Sequence, residues 1–262
     1  MHKNYQSNGY EIKKIFEDKT IKDFENTLIF LCKMQLKKLN LNSKSNNIQI
    51  LVKNLFKKNS SALFECFLMA KNSSAGHNLC GDKNLLKCVQ SLLGNKMGNI
   101  ISGPNLFINV PGSSKKKYTW HSEQNWYPKR RNFLNIWCPI FESRDKNNSM
   151  TLKLGSHKKD WFYFSEYQGY DGKYSQDSNV QYEIPNNFLK KYKSFNPKVK
   201  RNEALIFNGK IVHRSVNIKS KKILFALNFR VFDYTNDLTL SSNWADIPYN
   251  RKSFGVPNII VE

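Results

Sequence analysis

Lys222-Ile223-Leu224-Phe225-Ala226-Leu227-Asn228-Phe229-Arg230 decides the fold class. Ile223, Phe225, Leu227 and Phe229 alternate with Lys222, Leu224, Ala226, Asn228 and Arg230. That period of two predicts a strand with one apolar face and one face carrying the polar groups. Further strand candidates crowd the same region: Leu106–Val110, Phe133–Ile140, Met150–Leu154, Glu203–Phe207 and Ile211–Val216. Asn208-Gly209 falls between the last two and predicts a two-residue hairpin turn. Residues 158–202 hold aromatics, Gly and Lys without clear periodicity, which predicts a long insertion or lid. Upstream, the period changes. After a short extended piece at Gly9–Ile12, Thr20 is placed to cap a helix whose apolar positions are Ile21, Phe24, Leu28 and Leu31. Residues Ile48–Phe56, Ser61–Ala70 and Leu85–Leu93, the last closed by Gly94, predict more helices. The expectation is one mainly β domain with flanking α over 1–262: helical cladding to residue 96, a β-rich core over 97–234 containing the insertion, and a C-terminal extension over 235–262.

With 262 residues, 40% of them hydrophobic and 13% aromatic, the chain can bury a sizeable core and is not a disordered polymer. The longest apolar run of the first helix, Leu28–Cys32, falls far short of the ~20 residues a bilayer span requires. The opening residues lead into no apolar signal core, so the expected address is cytoplasmic. Five cysteines with no C-x-x-C argue against a disulfide framework and a zinc ribbon. The net charge is +22, from 42 Lys+Arg against 20 Asp+Glu. Its lysines are scattered through every segment, with only short runs and no nucleic-acid-binding signature. No specific nucleic-acid partner is expected, and attraction of anionic small molecules is the simpler use of the field.

The phosphate-cradling glycine motifs and the nucleophile elbow are absent. Histidine chemistry remains. His121-Ser122-Glu123 is an H-x-E pair, and on an extended backbone residues two apart point the same way. His213 follows on a later strand candidate. Two His and one carboxylate on one side of a metal form the facial triad of non-haem Fe(II) oxygenases, with open positions for cosubstrate and O2. On spacing alone, an ordinary surface His–Glu contact accounts for the same residues.

The flanking residues carry more. Trp120-His121-Ser122-Glu123, the Ile136-Trp137 strand, the run from Asn147 to Lys158 ending in Gly155-Ser156-His157-Lys158, and His213-Arg214-Ser215 resemble, in order and spacing, the phytanoyl-CoA dioxygenase-like family of Fe(II)/2-oxoglutarate oxygenases. The resemblance implies a double-stranded β-helix, a jelly-roll relative of the cupins, clad by N-terminal helices. It implies His121, Glu123 and His213 as ligands of Fe(II), with 2-oxoglutarate as cosubstrate. Trp137, Ser215 and Leu106 match positions that line the cosubstrate site, and His157 orders its turn without ligating. The implied activity is hydroxylation of a C–H bond in a small metabolite, anionic or of carbohydrate type. Tyr127 and Arg131 are candidate substrate contacts, with packing and a solvated loop as their ordinary alternatives. A degenerate β-helix that binds a ligand without turnover and a basic nucleic-acid-binding module are the alternative functions.

Three departures from the family pattern stand out. Glu123 takes the place of the usual Asp, and Ser149 and Leu154 replace a Gly and a Pro. The family's arginine for the far carboxylate of 2-oxoglutarate falls at Leu224. Lys222 and Arg230 are the next cations on that strand face, roughly 7 Å and roughly 20 Å from Leu224 along an extended chain, and Arg230 is the preferred anchor.

Overall fold

Apolar residues at helical spacing build the N-terminal layer. The computed structural model describes residues 2–41, 43–94, 99–109, 119–125, 132–142, 150–161, 166–167, 181–182, 184–216 and 222–233. The chain opens with α1 (Lys3–Asn8) and β1 (Tyr10–Lys14), then runs through α2 (Asp18–Lys38), α3 (Ile48–Lys58), α4 (Ser60–Lys71), α5 (Ser74–Cys80) and α6 (Lys83–Leu93). Ile21, Phe24, Leu28, Cys32 and Leu36 form the buried stripe of α2. Asn47, Asn59, Ser73 and Asp82 accept hydrogen bonds from the first free amides of α3 to α6, the usual remedy for unpaired donors at a helix start. Helix α2 begins at Asp18, so Thr20 lies inside it and is not its cap. Helices α1 and α5 escape periodicity because they are only 6 and 7 residues long, with Tyr5 alone buried in α1. With helices filling most of residues 18–93, the fold is mixed α and β, not mainly β.

The later elements are β2 (Asn99–Asn109), β3 (Phe133–Ile140), β4 (Met150–Lys153), β5 (Glu166–Tyr167), β6 (Gln181–Tyr182), α7 (Asn186–Leu189), β7 (Ser194–Phe195), β8 (Glu203–Asn208), β9 (His213–Ser215) and β10 (Leu224–Asp233). They form an antiparallel five-stranded sheet in the order β1-β8-β3-β10-β2, a three-stranded sheet β7-β4-β9, and the pair β5-β6. Strand β7 lies within the expected insertion, and its pairing with β4 makes that part of 158–202 a member of the sheet. Trp161 is buried there as core, whereas Phe162–Phe164, Val110 and the extension over 235–262 lie outside the described residues.

Both faces of the large sheet are covered. Leu134, Ile136, Cys138, Ala204, Ile206, Phe225, Leu227 and Phe229 pack against the helical layer. Trp137, Leu205, Phe207 and Ala226 face the other way and meet Leu152 of β4. The face of β10 expected to be polar is therefore an inner face, apolar at Ala226 and polar at Asn228 and Arg230. Glu25 of α2 ties the layers together: its carboxylate accepts from Arg201 Nε and Nη2 at 3.1 and 2.7 Å and from the Phe141 amide at 2.5 Å. No helix among the described residues is long and apolar enough to cross a membrane. All five cysteines are free thiols, and Cys32, Cys66 and Cys138 are buried.

Asn208-Gly209 does not close a hairpin. Strand β8 belongs to the large sheet and β9 to the small one, so the dipeptide turns the corner between them. The Asn208 side chain accepts from the Lys210 amide at 2.9 Å, and the Asn208 carbonyl accepts from the Ile211 amide at 2.9 Å. Glycine is needed at 209 for close approach: a Cβ there would sit 1.9 Å from the Phe133 ring. Gly209→Ala is expected to lower stability by about 1–3 kcal/mol in urea unfolding, the range for overpacking. Combining it with Phe133→Leu should recover part of that loss; no recovery would show that ring contact is not the cause.

Candidate metal centre

His121 and His213 form an isolated antiparallel bridge. Each amide donates to the other's carbonyl at 2.9 Å, and this reciprocal pairing puts both side chains on one side. The two rings lie 4.2 Å apart, centroid to centroid. The His121 Nδ1–H donates to the Thr119 carbonyl at 2.7 Å and that of His213 to the Ile211 carbonyl at 3.1 Å. A carbonyl only accepts, so these bonds hold the proton on Nδ1 and put the lone pair of each ring on Nε2, the tautomer that metal-binding histidines require.

Glu123 completes the set by a different backbone route from the extended one expected. It opens a short 3-10 turn, Glu123–Asn125, that brings its carboxylate to the histidine pair. His213 Nε2 lies 3.9 Å from Glu123 Oε1, and the ligand atoms of His121, Glu123 and His213 all fall within 4.8 Å of one another. Among the described residues this is the one such cluster of His, Cys, Asp or Glu, and all three members are buried. Burial holds His121 down to about 3, assisted by the neighbouring His213, and burial likewise depresses His213. Burial would raise Glu123, but the Arg230 guanidinium first, then the two imidazoles, hold it below its ordinary value. Two neutral imidazoles and one carboxylate are the protonation states that bind a divalent metal.

Buried polar side chains support this geometry. Ser122 Oγ donates toward the carbonyls of Gly209 and Lys210, which fastens the Glu123 turn to the corner preceding β9. Gln124 bonds Asp160 and the Trp161 amide. Ser156 Oγ accepts from the Val212 amide at 2.8 Å, one residue before His213. His157 points elsewhere, its Nε2 donating to the Gln6 carbonyl of α1 at 3.2 Å. Ser156, more than His157, therefore connects the glycine-serine-histidine turn to the triad. Trp120 is a core residue, packed with Trp161 and Val212.

The other expected residues divide. Trp137 lies on the inner face, opposite Asn228. Ser215 follows His213 by two residues on β9 and shares its side. Arg230 reaches the triad itself, its Nε donating to Glu123 Oε2 at 2.9 Å. Leu106, by contrast, packs on the helix-facing side of the sheet. Lys222 is exposed and pairs with Glu142 at 3.1 Å, away from the triad. Tyr127 and Arg131 lie outside the described residues. Missed by sequence reasoning were Ser122, Gln124 and Asn135; the signal for Asn135 was an amide within an apolar strand, where asparagine is disfavoured.

A family model for phytanoyl-CoA dioxygenase matches residues 36–224, and the chain belongs to that family. Its fold and its two-histidine, one-carboxylate arrangement are of the Fe(II)/2-oxoglutarate oxygenase type. The apo structure of the non-heme monooxygenase ThoJ is similar, with TM-score 0.55 and 11% identity over 88% of this chain and 76% of that one. So is SnoK, a non-heme alpha-ketoglutarate-dependent carbocyclase from nogalamycin biosynthesis, with TM-score 0.55, 12% identity, and 88% and 82% of the two chains covered. EvdO2 from Micromonospora carbonacea var. aurantiaca, complexed with 2-oxoglutarate, gives TM-score 0.53 and 10% identity over 89% and 91%. At these identities the likeness is one of fold. No curated protein sequence matches.

Ser156→Ala removes the acceptor of a buried amide beside His213. A loss of about 1–3 kcal/mol is expected in urea unfolding. An unchanged midpoint would show that Ser156 does not hold this segment.

Proposed function

We propose that the chain is an Fe(II)- and 2-oxoglutarate-dependent oxygenase that hydroxylates a C–H bond of a small metabolite. The observation that carries this reading is the reciprocal His121–His213 pair, with the proton of each ring held on Nδ1 and the Glu123 carboxylate beside them. That donor set fits Fe(II) with coordination positions to spare. His121, Glu123 and His213 hold the metal, Trp137 and Ser215 line the cosubstrate side, and Arg230 supplies the positive charge. When bound, the iron and 2-oxoglutarate supply the oxidising chemistry with O2, and the protein's own task is to bind, orient and shield. The large and small sheets are read as the two halves of a double-stranded β-helix of the cupin kind. The net charge of +22 favours an anionic or polar metabolite over a cationic one. Tyr127 and Arg131 are proposed as substrate contacts on residue type and on their place after the H-x-E motif.

One observation favours a second reading, a barrel that binds its ligand without turnover. Leu224, at the position of the family's arginine, is buried. Succinate release separates the two: purified protein supplied with Fe(II), 2-oxoglutarate and O2 is expected to form succinate slowly even without substrate. Binding of both with no succinate, with or without candidate metabolites, would favour the non-catalytic reading.

His121→Ala and His213→Ala are each expected to abolish stoichiometric Fe(II) binding, measured by metal analysis after anaerobic loading, because two protein ligands remain where three are needed. His157→Ala should keep its iron. Full iron occupancy in either of the first two variants would refute the ligand assignment.

A further inference from the structure

Asn135, Asn228 and Arg230 are the polar residues on the inner face where β3 pairs with β10. In the β3–β10 pairing Asn135 lies directly opposite Arg230 and Asn228 opposite Trp137, and opposed residues share a face. On its other side Asn135 pairs with Phe207 of β8. Both neighbours of Asn135 touch the triad: Arg230 through its bond to Glu123, and Phe207 through its ring, edge-on to His213 with centroids 5.0 Å apart. Asn135 is thus set beneath the metal centre. It is 0% exposed, yet among the described residues neither its Nδ2 nor its Oδ1 meets a hydrogen-bond partner, and Asn228 Oδ1 is also without one.

Buried amides are almost always satisfied, and an orphaned one destabilises the fold. Asparagine is also a poor strand residue, and leucine fills the equivalent need at Leu205 on the same face. Nothing in the packing of the described residues accounts for an amide at 135. A polar ligand does: the side chain offers two N–H donors and one acceptor, with the Arg230 charge alongside, a combination suited to carboxylate oxygens. Among the described residues, Leu224 stands where the family has its arginine, and Lys222 is engaged with Glu142 at the surface.

Resting on the cosubstrate reading above, we propose that Asn135 and Asn228, with Arg230 beside them, form the carboxylate-binding bay of the 2-oxoglutarate site, and that Asn135 bonds the cosubstrate directly. The bay lies farther along β10 than position 224, where the family's arginine is missing, and offers its carboxylate contacts beside Glu123.

The test is calorimetric titration of 2-oxoglutarate into the Ni(II)-loaded protein, which binds without turnover. Asn135→Leu and Asn228→Leu are each expected to weaken 2-oxoglutarate binding about ten- to hundred-fold, the worth of a hydrogen bond to a charged group. Ni(II) affinity should stay within about two-fold, as for an independent site. The melting temperature of the metal-free Asn135→Leu variant should hold or rise, because an unpartnered amide has been removed; a structural amide would give a fall. Asn135→Ala repeats the measurement should leucine not fit. A folded Asn135 variant that binds 2-oxoglutarate within about two-fold of the unmodified protein overturns the bay and leaves the proposed function standing. An unmodified Ni(II) protein that binds no 2-oxoglutarate overturns both.

Discussion

The two hydrogen bonds exchanged by the backbones of His121 and His213 are the constraint on which the centre depends. They join the segment ahead of β3 to β9 of the small sheet and bring two imidazoles together without relying on side-chain packing. Everything around them serves to hold that register. The Asn208-Gly209 corner sets where β9 begins, and Ser122 ties the Glu123 turn to the same corner. Ser156 takes up the Val212 amide that would otherwise be stranded in the interior. An error of one residue in this register would send a histidine to the opposite face, because side chains alternate along an extended chain.

The electrostatics follow from depth. Three buried ionisable groups would be costly in isolation, and each is compensated locally. The imidazoles remain neutral because burial penalises their charge, and Glu123 remains ionised because Arg230 stands against it. Breaking that pair would leave a buried charge uncompensated, which costs far more than a surface pair does. Glu123 is one methylene longer than the family's aspartate. Here one carboxylate oxygen accepts from Arg230, which holds the longer arm, and the other faces His213 Nε2 at 3.9 Å.

Much of this was legible in the residues, for identifiable reasons. Strands β3 and β10 are long and bounded, and α2 repeats its apolar positions from Ile21 to Leu36, about four turns, so period alone locates them. The triad was legible because residue type, order and neighbours all agreed. The hairpin expected at Asn208-Gly209 failed because that dipeptide serves two needs: positive backbone angles in a tight turn, or absence of a Cβ where another group approaches. Only the tertiary neighbour, Phe133, tells which need applies. Arg230 was preferred as an anchor over a distance counted along one strand. Its contact with Glu123 comes from the pairing of β10 with β3 and from a turn at 123, neither of which a linear count contains. Lys222 fell on the correct strand face in sequence, yet the strand begins after it, and its side chain goes to Glu142 in solvent.

Asn135 shows where local and global demands part. On β3 the helix-facing residues Leu134, Ile136, Cys138 and Ile140 satisfy the core without exception. The inward positions of the same strand carry Phe133, Asn135 and Trp137, so a single amide interrupts an aromatic row. Selection for stability alone would replace it, since volume-conserving apolar residues are well tolerated in such places. Sequences usually agree with their fold at every level, and violations gather where function imposes its own requirement. An amide at full depth, flanked by two residues that touch the metal ligands, is such a violation. The penalty is carried by the empty protein and relieved by the ligand, so affinity for a carboxylate and stability of the unliganded fold are set against each other at one residue.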